Sequence, residues 1–167
     1  CRNEPPFCPL PRTPVNRAMP AHPHRQTTFY GIVDTSYIAR SACRGKCQAL
    51  LDGGAGIIQL RDKNETREQR AELVEQLLPL FDGTDVPFIL NDDLELASRY
   101  PGVGIHVGQD DAPVTLCRTK LGPDRVIGLS THSAAQVAMA IAHTEVLSYF
   151  AIGPVFATPT KPTYPAV

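Results

Sequence analysis

Several residue types and charge patterns are scarce or absent in this 167-residue chain. Tryptophan does not occur, methionine occurs twice, and 16 basic residues nearly balance 17 acidic ones, for a formal net charge of -1. A balanced charge excludes the global electrostatic field that attracts nucleic acid or an anionic membrane, so we expect neither as a partner. No apolar run approaches the roughly 20 residues that a membrane-spanning helix needs. Any anion binding would therefore depend on a local cluster of side chains.

Cysteine is present but follows no disulfide pattern. The five cysteines are an odd number without framework spacing, which favours reduced thiols. The N-terminus shows no apolar signal-peptide core, and we expect a cytoplasmic protein. Cys43 and Cys47 share one face of a predicted helix, but no histidine or second cysteine pair accompanies them as further metal ligands. We expect both to be small buried hydrophobic groups.

Proline and apolar residues divide the chain into two parts. The first 27 residues hold seven of the 16 prolines and show no apolar periodicity, which predicts an extended or disordered tail over 1–27. From residue 28 onward, short apolar runs of the kind that buried parallel strands form recur along the chain. These runs cover residues 29–33, 56–60, 86–90, 103–107, 126–129 and 149–152.

Helical patterns alternate with these apolar runs. The clearest helix begins with Thr66 and Gln69 in capping-box spacing, and a later one begins with Ser133 and Gln136 in the same spacing. The predicted buried face of the first comprises Val74, Leu77, Leu78 and Phe81. The predicted buried face of the second comprises Ala134, Val137, Ala138 and Ile141.

The alternation of strands and helices predicts a parallel α/β architecture, either a doubly wound open sheet or a (β/α)8 TIM barrel. An open-sheet nucleotide binder normally carries a glycine-rich phosphate loop after its first strand, where this chain has Asp34-Thr35-Ser36. The barrel is therefore favoured. A complete barrel has about 250 residues in eight βα units, whereas about six units are recognisable here. We expect residues 28–167 to form an incomplete TIM-barrel domain.

Polar clusters follow the apolar runs, at the points where the predicted strands end. They read Gln59-Leu60-Arg61-Asp62-Lys63, Asn91-Asp92-Asp93, Gly108-Gln109-Asp110-Asp111, Ser130-Thr131-His132-Ser133 and Thr158-Pro159-Thr160-Lys161. The loops at the carboxyl ends of parallel strands open on one face, so these clusters should converge on one site. Carboxylates, cations and hydroxyls in one place suit a divalent metal that carries a phosphorylated substrate.

The cations of the second strand allow two explanations. Alternation places Gln59, Arg61 and Lys63 on one side of the strand and the apolar residues on the other. The polar side of the strand then faces the barrel axis, where two cations and an amide would need an anion as a partner. A diphosphate is a natural candidate. An internal salt-bridge network with Asp62, or with an acid on a neighbouring strand, explains the cations equally well.

Two acidic pairs predict a metal site. Asp92 and Asp111 follow the third and fourth strands, which are neighbours, and could reach one Mg²⁺ that takes its other ligands from water and phosphate. Asp93 and Asp110 are adjacent acids that could substitute. Asn91-Asp92-Asp93 could also serve only as the cap of the next helix. The coincidence of both acidic pairs with the cationic strand favours the metal site.

The remaining polar residues carry weaker signals. Thr158, Thr160 and Lys161 lie in a proline-rich loop, which lowers the entropy cost of fixing donors around a phosphate but could equally be a plain connector. His106 and His132 are interpreted as supporting or core groups, because no partner at a triad spacing accompanies them.

Four blocks of sequence are informative through their order and spacing. They cover residues 54–63, 88–93, 104–111 and 153–161, and contain most of the polar clusters. Together they resemble the signature blocks of the thiamine-phosphate synthase family, over residues 28–167. The resemblance implies a Mg²⁺-dependent transferase on a TIM barrel that joins hydroxymethylpyrimidine diphosphate to thiazole phosphate. In the family the carbon–oxygen bond breaks first, diphosphate leaves, and the thiazole nitrogen captures the pyrimidine cation.

The resemblance also implies roles for individual residues. The implied metal ligands are Asp92 and Asp111. The implied contacts to the pyrimidine diphosphate are Gln59, Arg61, Lys63 and Asn91, those to the diphosphate group are Ser130 and Lys161, and those to thiazole phosphate are Thr158 and Thr160. Those expected to take part in catalysis are Arg61, Lys63, Ser130 and Lys161.

Three interpretations remain open at this stage. The first is a thiamine-phosphate synthase represented by an incomplete chain. The second is a thiazole tautomerase, an isomerase with the same barrel; it needs no diphosphate and metal cluster, so Asp92, Asp111 and Lys161 argue against it. The third is a truncated, non-catalytic remnant. Family members continue with loops after strands seven and eight that bind thiazole phosphate, so this chain by itself is expected to be inactive. The expected partners are small-molecule substrates, and homo-oligomerisation is left open.

Overall fold

The computed structural model describes residues 29–156 of the chain, in which strands and helices alternate. The strands are β1 Tyr30–Asp34, β2 Ile57–Arg61, β3 Phe88–Asn91, β4 Gly104–Val107, β5 Ile127–Thr131 and β6 Tyr149–Ile152. The helices are α1 Arg40–Asp52, α2 Arg67–Leu77, α3 Leu94–Arg99, α4 Val114–Leu121 and α5 Ala134–Ala142. The tail expected over 1–27 and the loop with Thr158, Thr160 and Lys161 lie outside the described residues.

The sheet has six strands, all neighbouring pairs are parallel, and the order in space is the order in sequence. The predicted parallel α/β architecture is therefore confirmed. A doubly wound sheet would reverse its strand order at a switch point, and the six described strands show no reversal. This succession is the one that a βα barrel uses.

One face of the sheet packs against the helices and forms the hydrophobic core. Its strand residues include Val33, Ile58, Leu60, Phe88, Leu90, Ile105, Val107 and Ile127, and its helix residues include Leu73, Val74, Leu77, Leu96 and Cys117. Burying each large apolar side chain contributes about 1.5 to 3 kcal/mol. Because side chains alternate along a strand, the residues between these, such as Gln59, His106 and Ser130, lie on the opposite face. We call this opposite face the inner face.

The predicted helix starts differ in outcome. At α2 the capping box is confirmed, because Gln69 N donates to Thr66 Oγ1 at 3.3 Å and Thr66 N donates to Gln69 Oε1 at 3.1 Å. At α5 the Ser133 hydroxyl does accept from Gln136 N at 3.2 Å. The Gln136 side chain accepts from His132 N instead of closing the box.

The predicted helix faces also differ in outcome. Val74 and Leu77 of α2 are fully buried, as expected. The predicted face of α5 is wrong, because Ala134 and Ala138 are exposed, Val137 is half-buried and Ile141 is 56% exposed. The helix reads AAQVAMAIA, and apolar residues nearly all around it define no single face by a period of 3.6.

The buried thiols confirm the expectation for the first helix. Cys43 and Cys47 are both fully buried on α1. Burial, with a smaller contribution from the neighbouring Cys43 thiol, raises the pKa of Cys47 to about 11. Both cysteines are therefore neutral packing groups near neutral pH. Among residues 29–156, no helix is both long enough and apolar enough to cross a membrane.

Candidate active site

The polar clusters that follow β2, β3 and β4 meet at one end of the sheet, as their positions predicted. Residues of the clusters after β2 and β3 line a cleft of about 470 Å³. Its wall includes Lys63, Asn91, Asp92 and Asp93, and α3 and α4 contribute apolar residues to its rim. The cleft lies at the carboxyl ends of parallel strands, where α/β proteins bind their ligands.

Asp92 is the central acid of this cleft. Its Oδ2 lies 3.0 Å from Nζ of Lys63, and its carboxyl group lies beside that of Asp111. Burial raises the pKa of Asp92, and the nearby Asp111 carboxyl raises it further, although Lys63 opposes both effects. Two carboxylates this close together repel each other, so a cation between them would stabilise the site.

The backbone fixes this acid in an unusual conformation. Asp92 has a φ of 64°, the only positive φ outside glycine within residues 29–156. Its N–H donates to the carbonyl oxygen of His106 at 2.9 Å, which ties the end of β3 to β4. Residues held in the left-handed region cost energy and concentrate at functional sites. The strain therefore supports a functional role for Asp92.

Asp111 is held by the loop that follows β4. Its Oδ2 accepts from the backbone N–H of Gly108 at 2.7 Å. A Cβ on Gly108 would lie only 2.9 Å from the same oxygen, so a larger residue there would displace the carboxylate. The described residues include no group of three or more His, Cys, Asp or Glu that could hold a metal. A pair of carboxylates nevertheless suits Mg²⁺, which keeps several waters and takes phosphate oxygens.

Asp93 performs a different task from its neighbour. Its Oδ1 accepts from Leu96 N at 3.0 Å and caps α3, while its Oδ2 binds Arg67 at 3.1 Å and Arg70 at 2.7 Å. Burial alone would raise the pKa of Asp93, but these hydrogen bonds and cations outweigh it and hold the pKa below its usual range. The two predicted roles of Asn91-Asp92-Asp93 are thus divided, with Asp93 as the helix cap and Asp92 as the acid beside Lys63 and Asp111.

The cations of β2 are paired with acids in this structure. Arg61 binds Asp34 of the neighbouring β1 at 2.6 Å, and Lys63 binds Asp92. Burial would raise the pKa of Asp34, but hydrogen bonds from Ser36 and Arg61 lower it overall. The salt-bridge explanation considered for these cations is therefore realised, with a neighbouring strand's acid. Both pairs remain partly exposed, so an incoming anion can compete for the cations.

The other acid of this segment lies on the helix side of the sheet. Asp62 is buried, and it accepts from Thr35 Oγ1 at 2.8 Å and from Arg40 at 2.9 Å. These bonds tie β2 to the loop after β1 and to the start of α1. Asp62 therefore contributes to the framework that holds the strand ends.

A chain of hydrogen bonds crosses the inner face below the cleft. Asn91 Oδ1 accepts from Gln59 Nε2 at 2.7 Å, and Gln59 Oε1 accepts from the Tyr30 hydroxyl at 2.6 Å. The hydroxyls of Tyr30 and Tyr149 are 2.8 Å apart, and Tyr149 continues to His106 Nδ1 at 2.9 Å. The last step joins His106 Nε2 to the Ser130 hydroxyl at 2.8 Å. We call this set of six side chains the inner-face chain.

The sequence did not predict two members of the inner-face chain, Tyr30 and Tyr149. Burial raises the pKa of each phenol well above its usual value, so both stay neutral hydroxyls. The available signal was a tyrosine at an inward position of each terminal strand, in runs that are otherwise apolar. The interpretation of His106 as a supporting group agrees with its bonds to Tyr149 and Ser130.

A glycine makes room for the aromatic part of this chain. A Cβ on Gly128 of β5 would lie 2.2 Å from Cζ of Tyr149 and 2.5 Å from Nδ1 of His106. The rings of Tyr149 and His106 stack with their centroids 5.5 Å apart. The close approach of the two rings to the strand therefore requires glycine at this position.

The predicted site residues thus fall into groups. The structure places Lys63 and Asp92 in the cleft with Asp111 beside Asp92, and places Gln59, Asn91 and Ser130 in the inner-face chain. Arg61 lies on the same strand as Gln59 and binds Asp34. The structure describes none of Thr158, Thr160 and Lys161, whose roles remain predictions from the sequence.

Comparisons with known proteins agree on one family. The family model for thiamine monophosphate synthase matches residues 29–167. The chain is 42% identical over 120 residues to thiamine-phosphate synthase from Bacillus mycoides, covering 70% of this chain and 53% of the relative. It is 39% identical over 133 residues to thiamine-phosphate synthase from Roseiflexus sp. strain RS-1, covering 80% and 56%. The chain therefore spans about half the length of these relatives.

A solved structure gives the same result. The fold matches thiamine phosphate pyrophosphorylase from Pyrococcus furiosus with a TM-score of 0.64 and 26% identity, covering 77% of this chain and 61% of that one. The family match covers all six described strands and the whole cleft. The chain belongs to the thiamine monophosphate synthase family.

Proposed function

We propose that this chain carries the diphosphate-binding and metal-binding part of a thiamine-phosphate synthase. The reaction joins hydroxymethylpyrimidine diphosphate to thiazole phosphate and releases diphosphate. The observation that carries the proposal is the cluster of Lys63, Asp92 and Asp111 at the mouth of the sheet. A tautomerase of the same family would not need this cluster.

Asp92 and Asp111 are proposed as the ligands of a Mg²⁺ ion. When bound, the ion would neutralise charge on the diphosphate and assist its departure. The proximity of the two carboxyl groups supports this assignment, because neighbouring carboxylates repel each other and a divalent cation would relieve that repulsion. The Gly108 N–H that holds Asp111 would keep that carboxylate oriented toward the site.

Arg61 and Lys63 are proposed to stabilise the leaving diphosphate. Each is bound to an acid in the structure, Arg61 to Asp34 and Lys63 to Asp92. A diphosphate carries more charge than one carboxylate and accepts hydrogen bonds in several directions, so it can attract both cations. The change of partner would concentrate positive charge where negative charge develops as the carbon–oxygen bond breaks.

The inner-face chain is proposed to form the floor of the pyrimidine site. Gln59 is buried, and the hydrogen bonds to Tyr30 and Asn91 fix its amide. A fixed polar floor with few waters would protect a pyrimidine cation from hydrolysis. Ser130 and Lys161 are proposed as further contacts to the diphosphate. Thr158 and Thr160 are proposed as contacts to thiazole phosphate, on the sequence alone.

We also propose that the complete enzyme is a closed eight-unit barrel. The side chains of Ile32 on β1 and of Phe150 and Ile152 on β6 support this proposal, because they are 56%, 37% and 50% exposed. Apolar side chains along the edges of a sheet are normally covered by further structure. A cytoplasmic location is part of the proposal, and the free buried thiols of Cys43, Cys47 and Cys117 support it.

An assay of thiamine phosphate formation tests this function. The 167-residue chain would be extended with the C-terminal half of the Bacillus mycoides relative, and both forms would be incubated with the two substrates and Mg²⁺. We expect product from the extended form and none from the shorter chain, because the shorter chain lacks the loops that hold thiazole phosphate. A folded extended form that yields no product would contradict the proposal. Product from the shorter chain alone would contradict the expectation that the added C-terminal half is needed to hold thiazole phosphate.

A further inference from the structure

The inner-face chain has a single direction of hydrogen donation. Gln59 Oε1 is a carbonyl oxygen and can only accept, so the Tyr30 hydroxyl uses its one hydrogen on Gln59. The Tyr30 oxygen must then accept from Tyr149, which lies 2.8 Å away. The Tyr149 hydroxyl thereby uses its own hydrogen and has only lone pairs left to offer to His106. Each step of this chain is determined by the step before it.

The same logic continues through the histidine ring. Nδ1 of His106 lies 2.9 Å from the Tyr149 oxygen, so Nδ1 must carry the hydrogen of that bond. A neutral imidazole has one N–H, and Nε2 therefore accepts. The Ser130 hydroxyl, 2.8 Å from Nε2, is the donor to it. The orientation of a buried amide on β2 thus decides where the hydrogen of a hydroxyl on β5 points.

We propose that Tyr30, Tyr149 and His106 are positioning residues through which Gln59 holds the hydrogen of Ser130 on His106 Nε2 and leaves the serine lone pairs facing the site. In this arrangement Ser130 has no hydrogen left to donate, so the diphosphate contact proposed for it requires the inner-face chain to reverse as a whole. The inference deepens the proposed function, on which it rests only for the statement that Ser130 lines the substrate site. The direction of the hydrogen bonds follows from the protein's own side chains.

Burial makes this direction persistent. Gln59 is 3% exposed and His106 is 8% exposed, so water does not readily replace a missing partner. Reversing one bond would leave two donors or two acceptors facing each other at the next bond. A buried polar group without a complementary partner costs about 1 to 3 kcal/mol. The hydrogen bonds of the inner-face chain therefore reverse their direction together or not at all.

The position of the hydrogen on His106 can be read directly by nitrogen NMR. Free histidine in water favours the hydrogen on Nε2, so a neutral ring with the hydrogen on Nδ1 is a distinctive result. The 167-residue chain would be labelled with ¹⁵N-histidine, and the His106 signals would be assigned by their loss in His106→Gln. We expect Nδ1 at the protonated type of shift and Nε2 at the unprotonated type.

Two substitutions test whether Gln59, acting through Tyr30, determines which nitrogen of His106 carries the hydrogen. Tyr30→Phe removes the acceptor of Tyr149, whose hydrogen can then turn to Nδ1, and Gln59→Leu removes the acceptor of Tyr30 and frees the chain to reverse. We expect both variants to move the His106 hydrogen to Nε2. Tyr100→Phe is the matched control, because it removes a surface hydroxyl that donates to Glu75, and we expect no change at His106.

The outcomes separate cleanly. An Nε2–H tautomer or a doubly protonated ring in the unmodified protein overturns the proposal. An Nδ1–H tautomer that persists in folded Tyr30→Phe and Gln59→Leu overturns the claim that Gln59 determines the tautomer of His106. Circular dichroism identifies a variant that fails to fold, and the other variant and the unmodified protein then decide. Because no substrate is present, the result does not depend on whether the proposed enzyme activity is found.

Discussion

The ammonium group of Lys63 lies 3.0 Å from Oδ2 of Asp92, and the carboxyl group of Asp111 lies beside the same aspartate. These residues follow β2, β3 and β4, so three successive strand ends contribute to one cluster. Lys63 therefore supplies positive charge beside these two carboxyl groups. This arrangement predicts a different effect for the substitution of each residue in or near the cluster.

The two adjacent acids of the third strand end should differ in their effect on metal binding. Asp92→Asn should weaken Mg²⁺ binding at least about tenfold, because even residues that only orient metal ligands cost that much. Asp93→Asn should leave it nearly unchanged, because Asp93 caps α3 and binds two arginines. Titration calorimetry with MgCl₂ and diphosphate measures both. Equal effects of the two substitutions would show that Asp92 is wrongly assigned.

Asp93→Asn should instead lower stability in a pH-dependent way. Near neutral pH we expect a loss of about 2 kcal/mol, the usual worth of hydrogen bonds to a charged group. The folded protein holds the pKa of Asp93 below its usual value of about 3.9, so the contribution is complete above that pH. It disappears as the pH falls through the lowered pKa. Urea unfolding at several pH values should show the two proteins converging in acid, and a constant difference would contradict this account.

The cations of β2 should matter for turnover more than for folding. In an extended, active form, Lys63→Ala and Arg61→Ala should each raise the activation free energy of the reaction by about 2 to 4 kcal/mol. This is the loss expected when one donor that stabilises charge in the transition state is removed. The free energy of unfolding should fall by less than about 1 kcal/mol, because both ion pairs are partly exposed. Steady-state kinetics and urea unfolding test this. Loss of folding with normal turnover per folded molecule would make the cations purely structural.

Gly128 and Gly45 should respond in opposite ways to alanine. Gly128→Ala should destabilise the protein by about 1 to 3 kcal/mol, because the new Cβ overpacks the space of Tyr149 and His106. Gly45→Ala should stabilise it by about 1 kcal/mol, because Gly45 lies within α1 and nothing lies within 4 Å of its added Cβ. Thermal unfolding measures both changes. A tolerated Gly128→Ala would mean that the ring stack is loosely packed.

The strands and the convergence of the polar clusters could be predicted from the sequence for a clear physical reason. Buried parallel strands need continuous apolar runs, and the loops after them open on one face. The run over 149–152 coincides with β6, and the other runs overlap their strands within about two residues. The buried face of α5 could not be predicted, because its apolar residues surround the helix.

The partners inside the site were harder to predict. Tyr30 and Tyr149 share a hydrogen bond although 119 positions separate them, and no local pattern encodes such a pairing. The choice between Asp34 and Asp62 for Arg61 depended on register. Asp34 lies opposite Arg61 in the ladder between β1 and β2, whereas Asp62 lies on the helix side and binds Arg40. Register and side-chain direction together decide such pairs.

Diphosphate binding by the 167-residue chain tests the central claim most directly. The cluster of Lys63, Asp92 and Asp111 lies within the described part of the chain, so calorimetric titration with inorganic diphosphate requires no second half of the barrel. We predict binding in the presence of Mg²⁺, strong weakening when Mg²⁺ is removed, and the same weakening in Asp92→Asn but not in Asp93→Asn. Diphosphate binding that is equally strong with and without Mg²⁺, or its absence under both conditions in the folded chain, would contradict the account.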